Sequence, residues 1–208
     1  DKNLSKTNPK REFEKKSPSK HLYEKLQYHY NLGYTLFKIR NYSLSLKAFE
    51  KVVQKQNLYS KSKIRDAFLR LGDAHYGLSK FWLAMEYYDK SIAISPAQSD
   101  YALYQKSICY GFVDRNSKKI TSLEELIDKH PSSTFIDDAY FELANTYTVI
   151  GLPEKAIKTY EELVNRFPQS PFLPKAILNN GLILYNQEKL VDAQELLRNL
   201  IINNPKDG

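Results

Sequence analysis

A register that recurs along the chain constrains its fold more than any other feature. A small residue stands at Gly33, Gly72, Ser107, Ala144 and Gly181, at intervals of 39, 35, 37 and 37 residues. Prolines at 96, 131, 168 and 205 repeat the last three intervals, so two kinds of residue set the same period. Within each period apolar residues recur at three- and four-residue spacing on both sides of a short break, the pattern of two amphipathic helices joined by a turn. One such pair cannot bury its apolar face alone, whereas stacked copies bury a continuous core. The 208 residues therefore read as an array.

The fourth copy, Asp137 to Pro168, is the most complete: DDAYFELANTYTVIGLPEKAIKTYEELVNRFP. Its Tyr140, Leu143, Ala144, Tyr147, Ala156, Tyr160 and Pro168 resemble the tetratricopeptide pattern W-x2-L-G-x2-Y, then A-x3-F, then P. Gly151-Leu152-Pro153 separates its helices. Ala144 and Ala156 are small where the helices approach, and a larger side chain at either overpacks by roughly 1 to 3 kcal/mol. The first copy has Leu32, Gly33 and Leu36, a turn at Asn41-Tyr42, then Ser45, Phe49 and Val52. The second has Phe68, Leu71, Gly72, His75, Phe81, Ala84, Tyr88 and Pro96, and the fifth has Ile177, Gly181, Leu184, Ala193, Leu197 and Pro205. The third diverges: Ser107 replaces glycine and Lys119 takes the small-residue position, so its helices are expected to pack differently or more loosely. The resemblance implies an all-α, right-handed α-solenoid of about five tetratricopeptide (TPR) repeats at 21–57, 62–97, 98–132, 133–169 and 170–205, with 206–208 as a terminus. Residues 1–20 are Lys/Ser/Pro-rich, either a basic tail or the remnant of a preceding repeat.

The net charge of +7 is unevenly placed. Residues 1–63 hold 15 Lys/Arg and 5 Asp/Glu, whereas residues 64–208 hold 16 and 19. A solvated basic segment accounts for this, and no helix-turn-helix or RNA-binding signature accompanies it. The single cysteine, Cys109, rules out an internal disulfide framework and a multi-Cys zinc site. No apolar run approaches the roughly 20 residues that span a bilayer. The chain begins with Asp1 and lacks a signal-peptide core, so any targeting signal is expected upstream.

The last two junctions share a phrase, HPSSTFIDDA and FPQSPFLPKA. It is similar to junctions in bacterial cell-envelope TPR proteins, the outer-membrane assembly lipoproteins and the Tol-Pal-associated periplasmic factors. That resemblance implies a periplasmic or outer-membrane-associated location.

In TPR arrays the first helices line a concave groove through positions 2, 5, 9, 12 and 13 of each repeat. Carried onto this sequence, the partner-binding positions are Tyr30, Tyr34 and Phe37; Leu69, Asp73 and Tyr76; Tyr101, Tyr104, Ile108 and Phe112; Phe141 and Asn145; and Leu178, Leu182 and Tyr185. Aromatic anchors with few charges suit a protein or peptide ligand, and tyrosines such as Tyr34, Tyr76, Tyr104 and Tyr185 pair a buried ring with a hydroxyl able to reach a peptide backbone. Lys38, Asn145 and Lys175 are isolated, which sets this groove apart from the basic clamps that grip a terminal carboxylate.

Catalytic, cofactor-binding and metal-binding residues are all read as none. His21, His29, His75 and His130 form no paired metal spacing, and Cys109 lies in no nucleophile motif. His75 is expected as a packed, hydrogen-bonded core histidine and Cys109 as a buried thiol. The chain thus reads as a non-enzymatic interaction scaffold in a cell-envelope assembly, with no small-molecule substrate. Two alternatives stand: a nucleic-acid-linked module using the basic N-terminal third, and a self-associating solenoid. No polar capping helix follows Pro205, so the array is expected to continue or its end to be covered by self-association.

Overall fold

The computed structural model describes residues 20–203, so the tail expected at 1–20, except for Lys20, and the closing Pro205 with 206–208 lie outside the described residues. Among the described residues the chain forms ten α-helices and no strand. The first helices of successive pairs are α1 (Lys20–Lys38), α3 (Lys61–Gly77), α5 (Asp100–Phe112), α7 (Ile136–Val149) and α9 (Leu173–Asn186). The second helices are α2 (Tyr42–Val53), α4 (Phe81–Ile94), α6 (Asn116–Lys129), α8 (Pro153–Arg166) and α10 (Leu190–Asn203). Each helix packs mainly on its neighbours in sequence, as a solenoid requires.

The five turns within pairs share one device. Each places a residue in the left-handed region: Arg40, Ser79, Asp114, Gly151 and Glu188, with φ of 59°, 57°, 54°, 72° and 60°. Each of these residues stands seven positions after its repeat's small residue. The following amide (Asn41, Lys80, Arg115, Leu152, Lys189) donates back to the carbonyl of Leu36, His75, Tyr110, Tyr147 or Leu184 at 2.9 to 3.0 Å. That is a Schellman closure, which satisfies carbonyls the helix end leaves open. The turn and its distance from the small residue are therefore constant, and the variation in period falls between one turn and the next. The long first interval contains a 3-10 turn at Gln56–Leu58.

Close approach within pairs explains the small residues. A Cβ on Gly33 would lie 2.8 Å from the Phe49 ring, on Gly72 2.5 Å from Tyr88, and on Gly181 2.7 Å from Leu197. Ala144 and Ala156 are fully buried. In the third pair, Ser107, Leu123 and Leu126 are fully buried, so the pair is closed rather than loose. The physical reason is that Lys119 runs past Gly111, 3.4 Å from where a Cβ would stand, and sends its ammonium to Glu142 on α7 at 2.5 Å.

The shared junction phrase locks one repeat to the next. Ser133 Oγ accepts from Phe135 N at 3.1 Å and donates to Asp100 Oδ2 at 2.9 Å. Ser170 does the same with Phe172 N at 3.2 Å and Asp137 Oδ2 at 2.7 Å. The phenylalanine two residues on stacks on the previous first helix: Phe135 on Tyr104 at 5.4 Å and Phe172 on Phe141 at 4.9 Å between centroids.

Candidate functional site

The first helices form a continuous layer because side chains at the groove positions reach across to the next first helix. In the first three repeats those contacts centre on α3. Tyr30 Oη donates to Asp66 Oδ2 at 2.6 Å, and Tyr34 Oη donates to the same oxygen. Arg70 lies 3.6 Å from Asp66 and 2.6 Å from Asp73, under the rings of Tyr34, Phe37 and Tyr101. Tyr88 and Tyr101 both donate to Asp73 Oδ1 at 2.9 Å. Two carboxylates, one guanidinium and four tyrosines thus engage one another internally, although Arg70 Nε and Asp73 Oδ2 are buried without a hydrogen bond.

Burial sets the electrostatics of this cluster. It pushes the Asp73 carboxyl above its ordinary range, and Arg70 and the hydrogen bonds from Tyr101 and Tyr88 oppose it without cancelling it. Burial also works against the Arg70 charge, but Asp73, Tyr34 and Asp66 outweigh it and hold Arg70 above its usual value. Burial, with the bond to Asp66, pushes Tyr34 up to about 12. These hydroxyls stay neutral and committed.

Leu69 and Asp73 are buried and offer no open groove surface. Tyr30, Tyr34, Phe37 and Tyr101 are half-buried, and the hydroxyls of Tyr34 and Tyr104, expected to meet a peptide, are spent instead on Asp66 and on Asp138 at 3.3 Å. Arg70 was missed by sequence reasoning, although Asp66, Arg70 and Asp73 follow helical spacing and face one side.

Farther along, the face opens. Phe112 is 58% exposed while stacked on Phe81 at 4.6 Å and meeting Tyr76 edge-on at 5.9 Å. Val149 is 76% exposed, Leu182 48% and Tyr185 61%, with Leu178 alongside. Leu178, Leu182 and Tyr185 form one stripe of α9. Between α5 and α7 lies an open cavity of about 390 Å³ with Ile108, Phe112 and Val149 on its apolar side and Lys119, Glu142 and Asn145 on its polar side. Asn145 Oδ1 accepts from Tyr160 Oη at 2.6 Å and Asn179 Nδ2 at 3.0 Å, which leaves its amide nitrogen as a donor at the wall. Phe141 is half-buried beneath Phe172.

Among the described residues no group of three or more His, Cys, Asp or Glu is placed to hold a metal ion, and no helix is long and apolar enough to cross a membrane. Cys109 is fully buried, and burial pushes its thiol up to about 12. His75 is buried and stacked on Tyr87 at 5.2 Å, but its Nδ1 has no hydrogen-bond partner. The ring is packed as expected, and the expected hydrogen bond is absent at Nδ1.

Tetratricopeptide-repeat models match residues 30–99 and 138–170. Those two stretches are tetratricopeptide repeats. No curated protein matches it. Among solved structures, the crystal structure of MamA protein superposes with a TM-score of 0.74 at 20% identity, covering 88% of this chain and 93% of that one. MamA from Desulfovibrio magneticus RS-1 gives 0.71 at 16%, with 89% and 98% covered. A Podosopora anserina putative kinesin light chain with nearly identical TPR-like repeats gives 0.67 at 16%, with 88% and 96% covered. At such identities the likeness is one of fold, and its coverage carries the solenoid through the divergent third repeat.

Proposed function

We propose that this chain is a non-enzymatic scaffold that holds an extended, mainly apolar peptide or partner segment on the first-helix face of its third to fifth repeats. The observation that carries the reading is the contrast along that face. Over α1 and α3 the polar groups are largely consumed internally, whereas from α5 to α9 Phe112, Val149, Leu182 and Tyr185 stand open, the first two lining a cavity with the Asn145 amide at its wall. Apolar side chains in the ligand would bury against these residues, and the Asn145 amide would meet a backbone carbonyl. Exposed aromatic and aliphatic groups around a polar rim are what a recognition surface presents.

Selection from a displayed peptide library, followed by titration calorimetry, tests this reading. Selected peptides are expected to carry apolar anchors and to lose about tenfold or more in affinity with Phe112→Ala. Equal affinity for the variant overturns the placement.

The proposed setting is a bacterial cell envelope, supported by the two junction phrases. Their serines and phenylalanines also have a packing role, so a secretion or lipoprotein signal in the upstream coding sequence is the independent test. Its absence removes the envelope from the proposal and leaves the groove untouched.

A further inference from the structure

The first repeat carries a second surface. Residues 20–63 contain nine Lys/Arg and two Asp/Glu, and much of this excess gathers on one edge of the α1/α2 pair. Lys47, Lys51 and Lys55 follow at four-residue spacing along α2 and the turn that ends it, with Leu44 one turn before them, so all four share a side. Lys25 comes across from α1. Lys25, Lys51 and Lys55 converge on His29, whose pKa is lowered by burial and then by these three ammonium groups. All four lysines are exposed, and none is ion-paired among the described residues. Tyr28, edge-on to His29 at 5.4 Å, is 59% exposed, and Leu44 is 45% exposed.

We propose that this edge of the first repeat docks on an anionic lipid surface. Three observations select that occupant. The face is built of lysine, a point charge suited to diffuse phosphate, without the planar fork that arginine offers a specific carboxylate. Tyr28 and Leu44 stand among the charges, where a tyrosine and an aliphatic side chain gain by entering the headgroup region; along a nucleic-acid backbone they would stay wet. The charge asymmetry gives an orientation: residues 64–208 hold 16 Lys/Arg against 19 Asp/Glu, so an anionic surface attracts the first repeat and repels the remainder. The open face of repeats three to five then stays free, and the inference does not depend on what that face binds.

Co-sedimentation of the chain with phosphatidylcholine vesicles, with and without phosphatidylglycerol, is the test. Binding is expected only to the anionic vesicles and is expected to fall with added salt. Lys51→Gln alone is expected to weaken it about fivefold, and Lys25→Gln, Lys51→Gln, Lys55→Gln together about 100-fold. Lys80→Gln, Lys118→Gln, Lys158→Gln, equal in charge and remote from the edge, should bind as the parent does. Binding without preference for the anionic lipid, equal losses in the two triple variants, or tighter binding to polyglutamate or a single-stranded oligonucleotide would each overturn the proposal.

Discussion

Arg70 stands between two carboxylates and among three aromatic rings, and the first-helix face of the first three repeats is arranged around it. Arg70→Met would leave Asp66 and Asp73 uncompensated. The expected loss in urea denaturation is about 3 kcal/mol, the low end for a broken buried pair because Asp66 keeps some contact with water. Burial raises the Asp73 carboxyl, so the native state binds its proton before the unfolded chain does as pH falls. Its contribution to stability is therefore full below the unfolded value of 3.8 and is lost as pH rises through the folded value. His75 has the opposite sign. Burial, then Lys80, lowers its pKa, so its contribution is present above 6.5 and declines as pH falls below that value. His75→Phe is expected to reduce the drop in melting temperature between neutral and mildly acid pH; an unchanged drop would show that His75 does not contribute to it. The spacing of Asp66, Arg70 and Asp73 was visible in the sequence. Their partners Tyr30, Tyr34 and Tyr101 come from neighbouring repeats, and only stacking shows that their hydroxyls are already taken.

Among the turns, those at Asn41-Tyr42 and Gly151 were legible, and only at Gly151, where a glycine stands just before a proline, was the left-handed residue itself marked. Arg40, Ser79, Asp114 and Glu188 adopt the same left-handed backbone, and the Schellman closure imposes it on residue types that do not announce it. A left-handed L-residue costs roughly 1 kcal/mol. Ser79→Gly, at an exposed turn, is therefore expected to stabilise the chain by about 0.5 to 1 kcal/mol in urea denaturation, net of glycine's larger unfolded-state entropy. The junctions give the complementary expectation. Ser170→Ala removes a hydrogen bond to the Asp137 carboxylate and a turn contact, at a cost of about 1.5 kcal/mol. Because repeats couple to their neighbours, amide exchange in α9 and α10 should accelerate before that in α3 and α4. Uniform acceleration would mean that the junction is not a local lock. The phrase was legible as a repeated string, but its role was not, since Asp100 and Asp137 lie 33 residues before the serines they bind.

Over the whole array, the period of small residues and prolines was enough to read an all-α repeat solenoid, because stacking is the way such pairs bury their faces. The candidate site was legible only as a set of positions. Register assigned Tyr34 and Tyr185 the same role, yet Tyr34 is tied to Asp66 whereas Tyr185 stands open. The difference lies in the neighbouring repeat, which position within a repeat does not encode. The central claim is that recognition belongs to the open first-helix face of repeats three to five. Its most direct test is photocrosslinking to a selected peptide, with the crosslinker placed in turn at Val149, at Leu182 and at Leu83, an exposed position on the second-helix layer. Adducts from 149 and 182 and none from 83 are the predicted result; adducts from 83 with none from 149 or 182 would contradict it.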